Sequence, residues 1–174
     1  MLNSTCKWKS TSKSTSKSKS KSSKPAKPTP NAPSADEVLV YCDGACSGNP
    51  GPAGLGVVML WDDHRKELSE FLGHGTNNIA ELTAILRAVE GAPPGRRIEL
   101  YTDSTYSIGV LTKGWKAKAN KTLITDIRNA LKVHGQVALH HVKGHAGVEL
   151  NEVADGLAVA AVEARATAGW NEVA

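Results

Sequence analysis

The sequence predicts an α/β domain whose mixed sheet carries acidic side chains at the carboxyl ends of two parallel strands. Two apolar runs, residues 38–42 and 98–102, each lead into an aspartate within the similar segments YCDG and YTDS. Between them the hydrophobic period changes from that of strands to that of a helix, and a helical crossover allows the two strands to be parallel neighbours. Asp43 and Asp103 would then lie at one edge of the sheet, where ligands commonly bind in α/β proteins.

Residues 1–35 differ in composition from the rest of the chain. They hold eight lysines and no acid, in a Ser/Thr/Lys run that ends in four prolines. Because such a segment has too little apolar surface to fold, we expect a disordered basic tail at 1–35, a folded domain at 36–168 and a C-terminal tail at 169–174. Subtracting the tail's charge of +8 from the net +4 of the whole chain leaves −4 for the remainder, so the basic pI of 9.0 comes from the tail.

The apolar runs and the cysteines bear on location. No apolar run approaches the ~18 residues needed to span a bilayer, and the N-terminus lacks the apolar core of a secretory signal. We therefore expect a cytoplasmic protein with no membrane contact. Cys6, Cys42 and Cys46 form neither a zinc pattern nor an even disulfide set, which favours reduced thiols. Cys42 should face away from Asp43, because side chains alternate along a strand.

The first strands are predicted to form a meander. Residues 38–42 form the first strand, and residues 44–54 form a turn region too rich in Gly and Pro to be regular. Two further strands, 55–61 and 67–75, flank a polar break at 62–66, which is the spacing of an antiparallel meander. The first three strands should therefore be hairpin neighbours.

Helical periodicity begins at Asn77. Apolar residues recur on one helix face until Gly91, Pro93 and Pro94 end the pattern. The residues on that face are Ile79, Leu82, Ile85, Leu86 and Val89. The later patterns predict, in order, a strand at 98–102, a short helix capped by Ser104 and reaching about residue 113, a helix at 122–133, a strand at 137–142 and a helix at 149–168.

The final helix is expected to combine a buried stripe with an acidic residue. Asn151 and Asp155 are four residues apart and share a face. Gly156 follows Asp155, although glycine costs about 1 kcal/mol relative to alanine inside a helix. We interpret this glycine as leaving room near Asp155. The predicted buried stripe consists of Leu150, Val153, Leu157 and Ala161.

Four carboxylates thus arrive from four elements. Asp43 and Asp103 follow strands, Glu81 lies in the first turn of a helix, and Asp155 lies in the last helix. Glu81 alone would be explained by compensation of the helix dipole, which stabilises by only ~0.3 to 1 kcal/mol. Two unpaired carboxylates at one sheet edge repel each other strongly, and a hard divalent cation makes the arrangement favourable. Together the four residues form an all-oxygen set suited to two Mg²⁺ or Mn²⁺ ions.

The chain resembles the type 1 ribonuclease H family across residues 38–165, through the successive segments YCDGACSGNPGPAG, TNNIAEL, YTDSTY and VKGHAGVELNEVAD. The resemblance implies a ribonuclease H-like fold, with a five-stranded mixed sheet flanked by helices and with residues 36–168 as the catalytic domain. It also implies an endonuclease that hydrolyses the RNA strand of RNA/DNA hybrids, and we expect a monomer.

The family's metal ligands correspond in this sequence to Asp43, Glu81, Asp103 and Asp155. We therefore expect two-metal-ion catalysis with Mg²⁺, or Mn²⁺ as a substitute, and products with 5′-phosphate and 3′-hydroxyl ends. His145, on a loop with two glycines, resembles the family's mobile histidine, which assists proton transfer or product departure.

Substrate contacts are implied by the same resemblance. The residues expected to border the minor groove and contact sugars are Gly44, Asn49, Asn78 and Thr105. Thr76 and Asn77 are expected near the DNA phosphate. Thr105 departs from the glutamine common after TDS in this family, and the shorter side chain affects that contact and not the activity.

The segment around Trp115 has two interpretations. Some members of the family carry a long basic protrusion with several tryptophans here, whereas this chain has only Trp115 and four lysines, at 113, 116, 118 and 121. The segment is either a short solvated loop with Trp115 packed on the core, or a reduced hybrid-binding handle.

Two other functions compete with a ribonuclease H. A different metal nuclease of the same fold, such as a proofreading exonuclease or a junction resolvase, would also use clustered carboxylates. A non-catalytic hybrid-binding module with a basic tail is the second alternative. The segments DGACSGNPGP and KGHAG argue against the first, and four ligand carboxylates without metal chemistry would be hard to explain in the second.

Overall fold

The computed structural model describes residues 34–144 and 147–174, which form a mixed sheet flanked by helices. Within these residues the sheet has six strands in the order β5-β4-β1-β2-β3-β6. The pairs β1–β4 and β4–β5 are parallel, and the other neighbours are antiparallel. The elements are β1 (Glu37–Cys46), β2 (Gly51–Trp61), β3 (His64–Gly75), α1 (Asn77–Gly91), β4 (Arg97–Thr102), α2 (Thr105–Thr112), α3 (Lys121–His134), β5 (Val137–His141), α4 (Glu149–Ala164) and β6 (Gly169–Val173).

The predicted α/β class, the meander and the parallel pairing of the two Tyr-x-Asp strands are confirmed. Tyr41 of β1 lies opposite Tyr101 of β4, and the two rings stack with their centroids 4.8 Å apart. Asp43 and Asp103 each follow two residues after these paired tyrosines. The register therefore carries both aspartates to the same end of the sheet.

The prediction of an irregular segment at residues 44–54 is wrong. β1 continues to Cys46 and β2 begins at Gly51, so only residues 47–50 remain outside the strands. Asp43 lies inside β1, opposite Gly56 of β2, rather than at the end of a strand. The low strand propensity of glycine and proline is outweighed here by the pairing of β1 with β2 and by close packing against helices, which favours residues without bulky side chains.

Residues 169–174, expected as a C-terminal tail, contain the strand β6 instead, so the sheet has one strand more than the resemblance implied. β6 pairs antiparallel with β3, and Trp170 lies opposite Leu68. The indole packs over Gly91 at the end of α1, where a β-carbon would overlap it, and Lys66 Nζ lies 5.1 Å from the ring centroid. A five-residue segment with a single tryptophan is too short for its sequence pattern to distinguish a strand from a polar tail.

The core lies on both faces of the sheet. Val38, Val40 and Cys42 face the side covered by α1 and α3, where they pack with buried residues such as Leu82 and Ile127. Leu39, Tyr41 and Val58 face the other side, with Ala154 of α4. The alternation along β1 therefore places Cys42 on the face opposite Asp43, as predicted, and burial raises the pKa of its thiol. Of the residues predicted on the buried face of α1, Leu82, Ile85 and Val89 are buried, whereas Ile79 and Leu86 are half-buried.

The buried stripe of α4 differs from the predicted one. Its buried residues are Asn151, Ala154, Ala158 and Ala161, whereas the larger apolar residues of the predicted stripe are half-buried. Small residues are favoured because α4 lies directly on two glycines of β2. A β-carbon on Gly54 would lie 2.9 Å from the Ala161 β-carbon, and one on Gly56 would lie 2.8 Å from the Ala158 nitrogen and would overlap the Ala154 carbonyl oxygen.

Gly156 does not leave room for Asp155, contrary to the interpretation of the sequence. It is exposed, and a β-carbon there would meet no atom within 4 Å among the described residues. The close approach that places Asp155 over the sheet comes from Gly54 and Gly56 of β2. No helix in the described part of the chain is long and apolar enough to cross a membrane.

Candidate active site

The four candidate carboxylates lie on elements that meet at one end of the sheet. Asp43 is on β1, Asp103 directly follows β4, Glu81 lies in α1, and Asp155 lies in α4. Asp43 is only 9% exposed, whereas the other three are half-buried. α1 and α4 both pack on β1, so their acidic residues approach Asp43 from the two faces of the sheet.

Gly44 brings α1 onto β1. A β-carbon on Gly44 would lie 2.7 Å from the carbonyl carbon of Ala80 and would overlap the nitrogen of Glu81. The absence of a side chain therefore sets the distance between the backbone next to Asp43 and the backbone of Glu81. Gly44 was expected from the resemblance to contact the substrate, and its position also gives it this structural role.

Burial and repulsion from neighbouring carboxylates raise the pKa values of Asp43 and Glu81. Burial, followed by the charge of Asp103, raises the pKa of Asp43 to about 7, and the charges of Asp155 and Glu81 act in the same direction. The Gly44 N–H donates to Asp43 Oδ1 over 2.7 Å and opposes this rise. The pKa of Glu81 is also raised, mainly by burial. Asp43 thus lies within electrostatic range of the other three carboxylates.

Two side chains hold Glu81. The Asn77 amide nitrogen donates to Glu81 Oε1 over 2.7 Å, and the Ser104 hydroxyl donates to Glu81 Oε2. Both hydrogen bonds favour the ionised form and oppose the rise of the Glu81 pKa. Ser104 also caps α2, because its hydroxyl accepts from the Ser107 N–H over 3.1 Å. The residue after Asp103 therefore links that aspartate to Glu81, a role that its position in TDS did not reveal.

The donor set fits a divalent cation in charge and in chemistry. All four side chains offer carboxylate oxygens, and hard cations such as Mg²⁺ prefer oxygen ligands. The amide oxygen of Asn151, one turn before Asp155, is buried without a hydrogen-bond partner among the described residues. As the side chains are placed, no group of three or more Asp, Glu, His or Cys residues in the described ranges closes around a point where an ion could be held. The carboxylates are thus gathered in one region without forming a finished coordination shell.

The family model described as RNase H matches residues 35–163. The chain belongs to the RNase H family. Proteins named Ribonuclease H from Desulforamulus reducens and Symbiobacterium thermophilum are 42% and 39% identical to it, over 73% and 74% of this chain and 88% and 96% of their own lengths.

Solved structures of RNase H proteins share the fold. LC11-RNase H1, isolated from compost by a metagenomic approach, is 29% identical with a TM-score of 0.64, over 75% of this chain and 98% of its own. A second structure of LC11-RNase H1, in complex with an RNA/DNA hybrid, aligns at 27% identity with a TM-score of 0.63, over 74% and 98% of the two chains. Membership of the family makes this chain a nuclease, and RNase H enzymes are generally dependent on divalent metal ions.

The residues expected to contact the substrate lie in β1, in the β1–β2 turn and at the starts of α1 and α2. Thr76 caps α1 through its hydroxyl, which accepts from the Ile79 N–H over 3.3 Å. Asn49 Oδ1 accepts from the Asn77 N–H over 3.2 Å and so ties the β1–β2 turn to α1. Asn78 is exposed, and Thr105 is exposed at the first position of α2.

His145 lies outside the described residues, but the backbone leading to it is described. A β-carbon on Gly144 would overlap Asp103 Oδ2 and lie 3.3 Å from Asp103 Cγ. The segment before His145 therefore lies directly against one of the candidate metal ligands. Gly144, one of the two glycines beside His145, is thus a point of close contact with Asp103.

Trp115 packs on α2, as the first interpretation of its segment expected, and the role of a hybrid-binding handle stays a prediction. A β-carbon on Gly109 of α2 would overlap the indole ring, and the Trp115 N–H donates to the Gly109 carbonyl oxygen over 3.2 Å. The residue nevertheless remains 47% exposed. Trp115 is thus anchored on α2 with part of its ring presented to solvent beside the lysines.

The raised pKa of Asp43 predicts a pH-dependent cost of stability. In the folded state Asp43 keeps its proton up to about pH 7, whereas the ordinary pKa of an aspartate is 3.8. The contribution of Asp43 to the free energy of unfolding is therefore fully present below pH 3.8 and is lost as pH rises through 7. In chelator, Asp43→Asn should be more stable than wild type at pH 8, by up to about 4 kcal/mol. The advantage should vanish below pH 4, as urea unfolding at both pH values would show.

Asp63→Asn is the matched control, because Asp63 is an exposed aspartate in the β2–β3 turn. It should leave the stability at pH 8 within about 0.5 kcal/mol of wild type. Equal stability of Asp43→Asn and wild type at pH 8 would contradict the buried charge.

Proposed function

We propose that this chain hydrolyses the RNA strand of RNA/DNA hybrids by two-metal-ion catalysis at Asp43, Glu81, Asp103 and Asp155. The observation that carries the proposal is that burial, together with the charges of Asp103, Asp155 and Glu81, raises the pKa of Asp43 to about 7. Buried acids that repel one another need a compensating positive charge to remain ionised. The RNase H family match and the hybrid complex of LC11-RNase H1 support the substrate class.

The four carboxylates would hold two Mg²⁺ ions, or Mn²⁺, which when bound supply positive charge at the scissile phosphate and lower the pKa of attacking water. Within the site, Asn77 and Ser104 fix both oxygens of Glu81, and the Gly44 N–H fixes one oxygen of Asp43. The products expected from attack of water on phosphorus, with departure of the 3′-oxygen, carry 5′-phosphate and 3′-hydroxyl ends.

Substrate choice follows from what a paired duplex exposes. Bases in a hybrid are paired, so the 2′-hydroxyl and the shape of the minor groove distinguish its RNA strand. Gly44, Asn49, Asn78 and Thr105 are proposed to border that groove, and Thr76 and Asn77 to lie near the phosphate of the DNA strand. The start of α1 supports the last assignment, because the positive end of a helix dipole favours anions.

A cleavage assay separates this function from its alternatives. The same end-labelled sequence is offered as RNA/DNA hybrid, duplex DNA and double-stranded RNA, with Mg²⁺ and with excess chelator. We expect internal cuts in the RNA strand of the hybrid alone, only with metal, and ends that a ligase joins without prior phosphorylation. Cleavage of duplex DNA would favour another metal nuclease, and binding of the hybrid without cleavage would favour a binding module.

His145→Ala is expected to lower turnover without abolishing metal-dependent cleavage. Bound ions supply most of the charge stabilisation, whereas a general acid or base contributes about a hundredfold or more. Single-turnover and steady-state rates on one hybrid would separate chemistry from product departure. A folded variant with no detectable cleavage would show that His145 is indispensable to the reaction.

The eight lysines before residue 34 are proposed to bind nucleic acid through its phosphates without sequence preference. The remainder of the chain carries a net charge of −4, so a basic arm would offset a weak surface for the hybrid. Each phosphate contact adds about 0.9 to the slope of log affinity against log salt on a duplex. Deleting residues 1–33 should flatten this slope and weaken binding at low salt, while turnover at saturating hybrid stays within about twofold.

A full-length variant with the eight lysines changed to glutamine controls for tail length. It should behave as the deletion does, because the proposed contribution is one of charge. Identical salt slopes for wild type and the deletion would favour an extension without a role in binding.

A further inference from the structure

His141, the last residue of β5, joins two parts of the candidate active site. Its Nε2 lies 3.1 Å from the backbone oxygen of Asp103 and 3.1 Å from the Thr105 hydroxyl oxygen. Asp103 belongs to the turn between β4 and α2, which also holds Ser104 and its hydrogen bond to Glu81, and Thr105 is the first residue of α2. His141 is exposed, so this contact lies at the surface beside the carboxylates and not in the core.

The two distances determine which atom carries the proton. A carbonyl oxygen can only accept, so the contact with Asp103 requires an N–H at His141 Nε2. The same N–H also points to the Thr105 hydroxyl oxygen, which accepts the second branch of a bifurcated hydrogen bond. A threonine hydroxyl has one proton to donate, and the exposed Thr105 keeps this proton free to donate to a partner outside the chain.

We propose that His141 is a specificity-determining positioning residue, which orients the Thr105 hydroxyl as a hydrogen-bond donor to an acceptor in the minor groove of the hybrid. This inference rests on the proposed function and adds a residue to it. The acceptor is either a 2′-oxygen of the RNA strand or a base-edge atom, purine N3 or pyrimidine O2. Threonine is short, and the fixed histidine compensates by removing the freedom of the hydroxyl to point elsewhere.

Among the described residues, the His141 ring contacts the backbone oxygen of Asp103 and makes no hydrogen bond to its carboxylate. Val142 N–H donates to the Thr102 carbonyl oxygen over 3.0 Å, and Gly144 lies against the carboxylate itself. Removing the imidazole should therefore affect substrate affinity more than turnover. This separation distinguishes the proposed role from general support of the active site.

Four variants on one RNA/DNA hybrid test the proposal. Thr105→Val removes the hydroxyl at constant shape, and His141→Phe keeps the ring but removes its donor. Each should raise KM about threefold to tenfold, the usual effect of one hydrogen bond, with kcat within about threefold of wild type. The double variant should be no worse than either single variant, because both remove the same contact. His141→Gln can place an amide N–H near the position of Nε2 and should recover KM to within about twofold of wild type.

His140→Phe is the matched control. His140 precedes His141 on β5, stacks on Tyr101 at 4.7 Å and contacts Glu99, away from Thr105. This variant should leave KM unchanged. Nitrogen NMR of the free protein adds a readout independent of substrate, and it should show the proton of neutral His141 on Nε2.

Several outcomes would overturn the inference. These are a proton on Nδ1 alone, an unchanged KM in His141→Phe, additive effects in the double variant, or a fall in kcat without a change in KM. A wild-type protein that neither binds nor cleaves the hybrid would instead overturn the proposed function, and with it this inference. Hybrids with single 2′-deoxy substitutions identify the acceptor. If one such substitution raises the KM of wild type but not that of Thr105→Val, the acceptor is the 2′-oxygen at that position. If no position behaves in this way, the acceptor is a base-edge atom.

Discussion

Asp43→Asn is expected to lower cleavage of an RNA/DNA hybrid by at least about a thousandfold while leaving hybrid binding within about threefold of wild type. Asparagine keeps the oxygen that accepts from the Gly44 N–H, so the fold is retained. What is lost is one negative charge from the set proposed to hold the ions. Asp103→Asn should have the same effect, because Asp103 is the charge that acts most strongly on Asp43.

The measurement pairs cleavage rates with binding of the uncut hybrid in chelator. Asp63→Asn serves again as the variant of an exposed aspartate and should cleave at the wild-type rate. Substantial activity in either Asp43→Asn or Asp103→Asn would refute the two-metal assignment. Loss of binding together with loss of cleavage would indicate that the carboxylates support the structure of the hybrid surface.

Gly56→Ala is expected to destabilise the protein by about 2 to 3 kcal/mol, although it adds only one methyl group. The new β-carbon would lie 2.7 Å from the Leu157 β-carbon and would overlap the Ala154 carbonyl oxygen, so α4 must move away from β2. Asp155 follows Ala154 directly and would move with it. Activity should therefore fall further than the folded fraction alone explains.

Gly156→Ala is the control for this prediction, since the chain offers a second glycine near Asp155 with open space around it. Inside a helix this substitution should stabilise by up to about 1 kcal/mol. Urea unfolding of the two variants gives the comparison directly. Equal effects of the two substitutions would show that α4 tolerates displacement from the sheet.

The contrast between Gly56 and Gly156 illustrates what the sequence does and does not reveal. Period and alternation predicted the strands, α1 and the parallel pairing that brings Asp43 and Asp103 together, because these depend on local patterns of apolar residues. The reason for a glycine depends on what packs against it, which is not a local property. From the sequence, Gly156 was therefore interpreted as the glycine that leaves room near Asp155, whereas Gly54 and Gly56 allow the close approach of α4 to the sheet.

The same limit explains two incorrect boundaries. Residues 44–54 have the composition of a turn, and the strand structure of most of them depends on the pairing of β1 with β2 and on contact with α1 and α4. The strand β6 depends on the free edge of β3 and on a site for Trp170 over Gly91. Both are tertiary effects that override weak local propensities.

The candidate site was predicted at the level of charged residues and missed at the level of their supports. Four acids in family motifs are conspicuous in a sequence. From the sequence, Ser104 looked like a helix cap and His141 like a residue near the end of a strand. In the structure the Ser104 hydroxyl donates to Glu81, and the His141 ring contacts the backbone oxygen of Asp103 in the β4–α2 turn. Such supports act across elements, so spacing along the chain gives no signal for them.

Three of the four carboxylates are placed by contacts in which glycine lies against another element: Gly44 against Glu81, Gly56 against Ala154 beside Asp155, and Gly144 against Asp103. At these points the spacing depends little on the sizes of neighbouring core side chains. The positions of these acids therefore depend on backbone contacts that a single added methyl group would disturb. Mutational scanning should find Gly44 and Gly56, which meet backbone atoms, less tolerant of substitution than the larger apolar residues of the core.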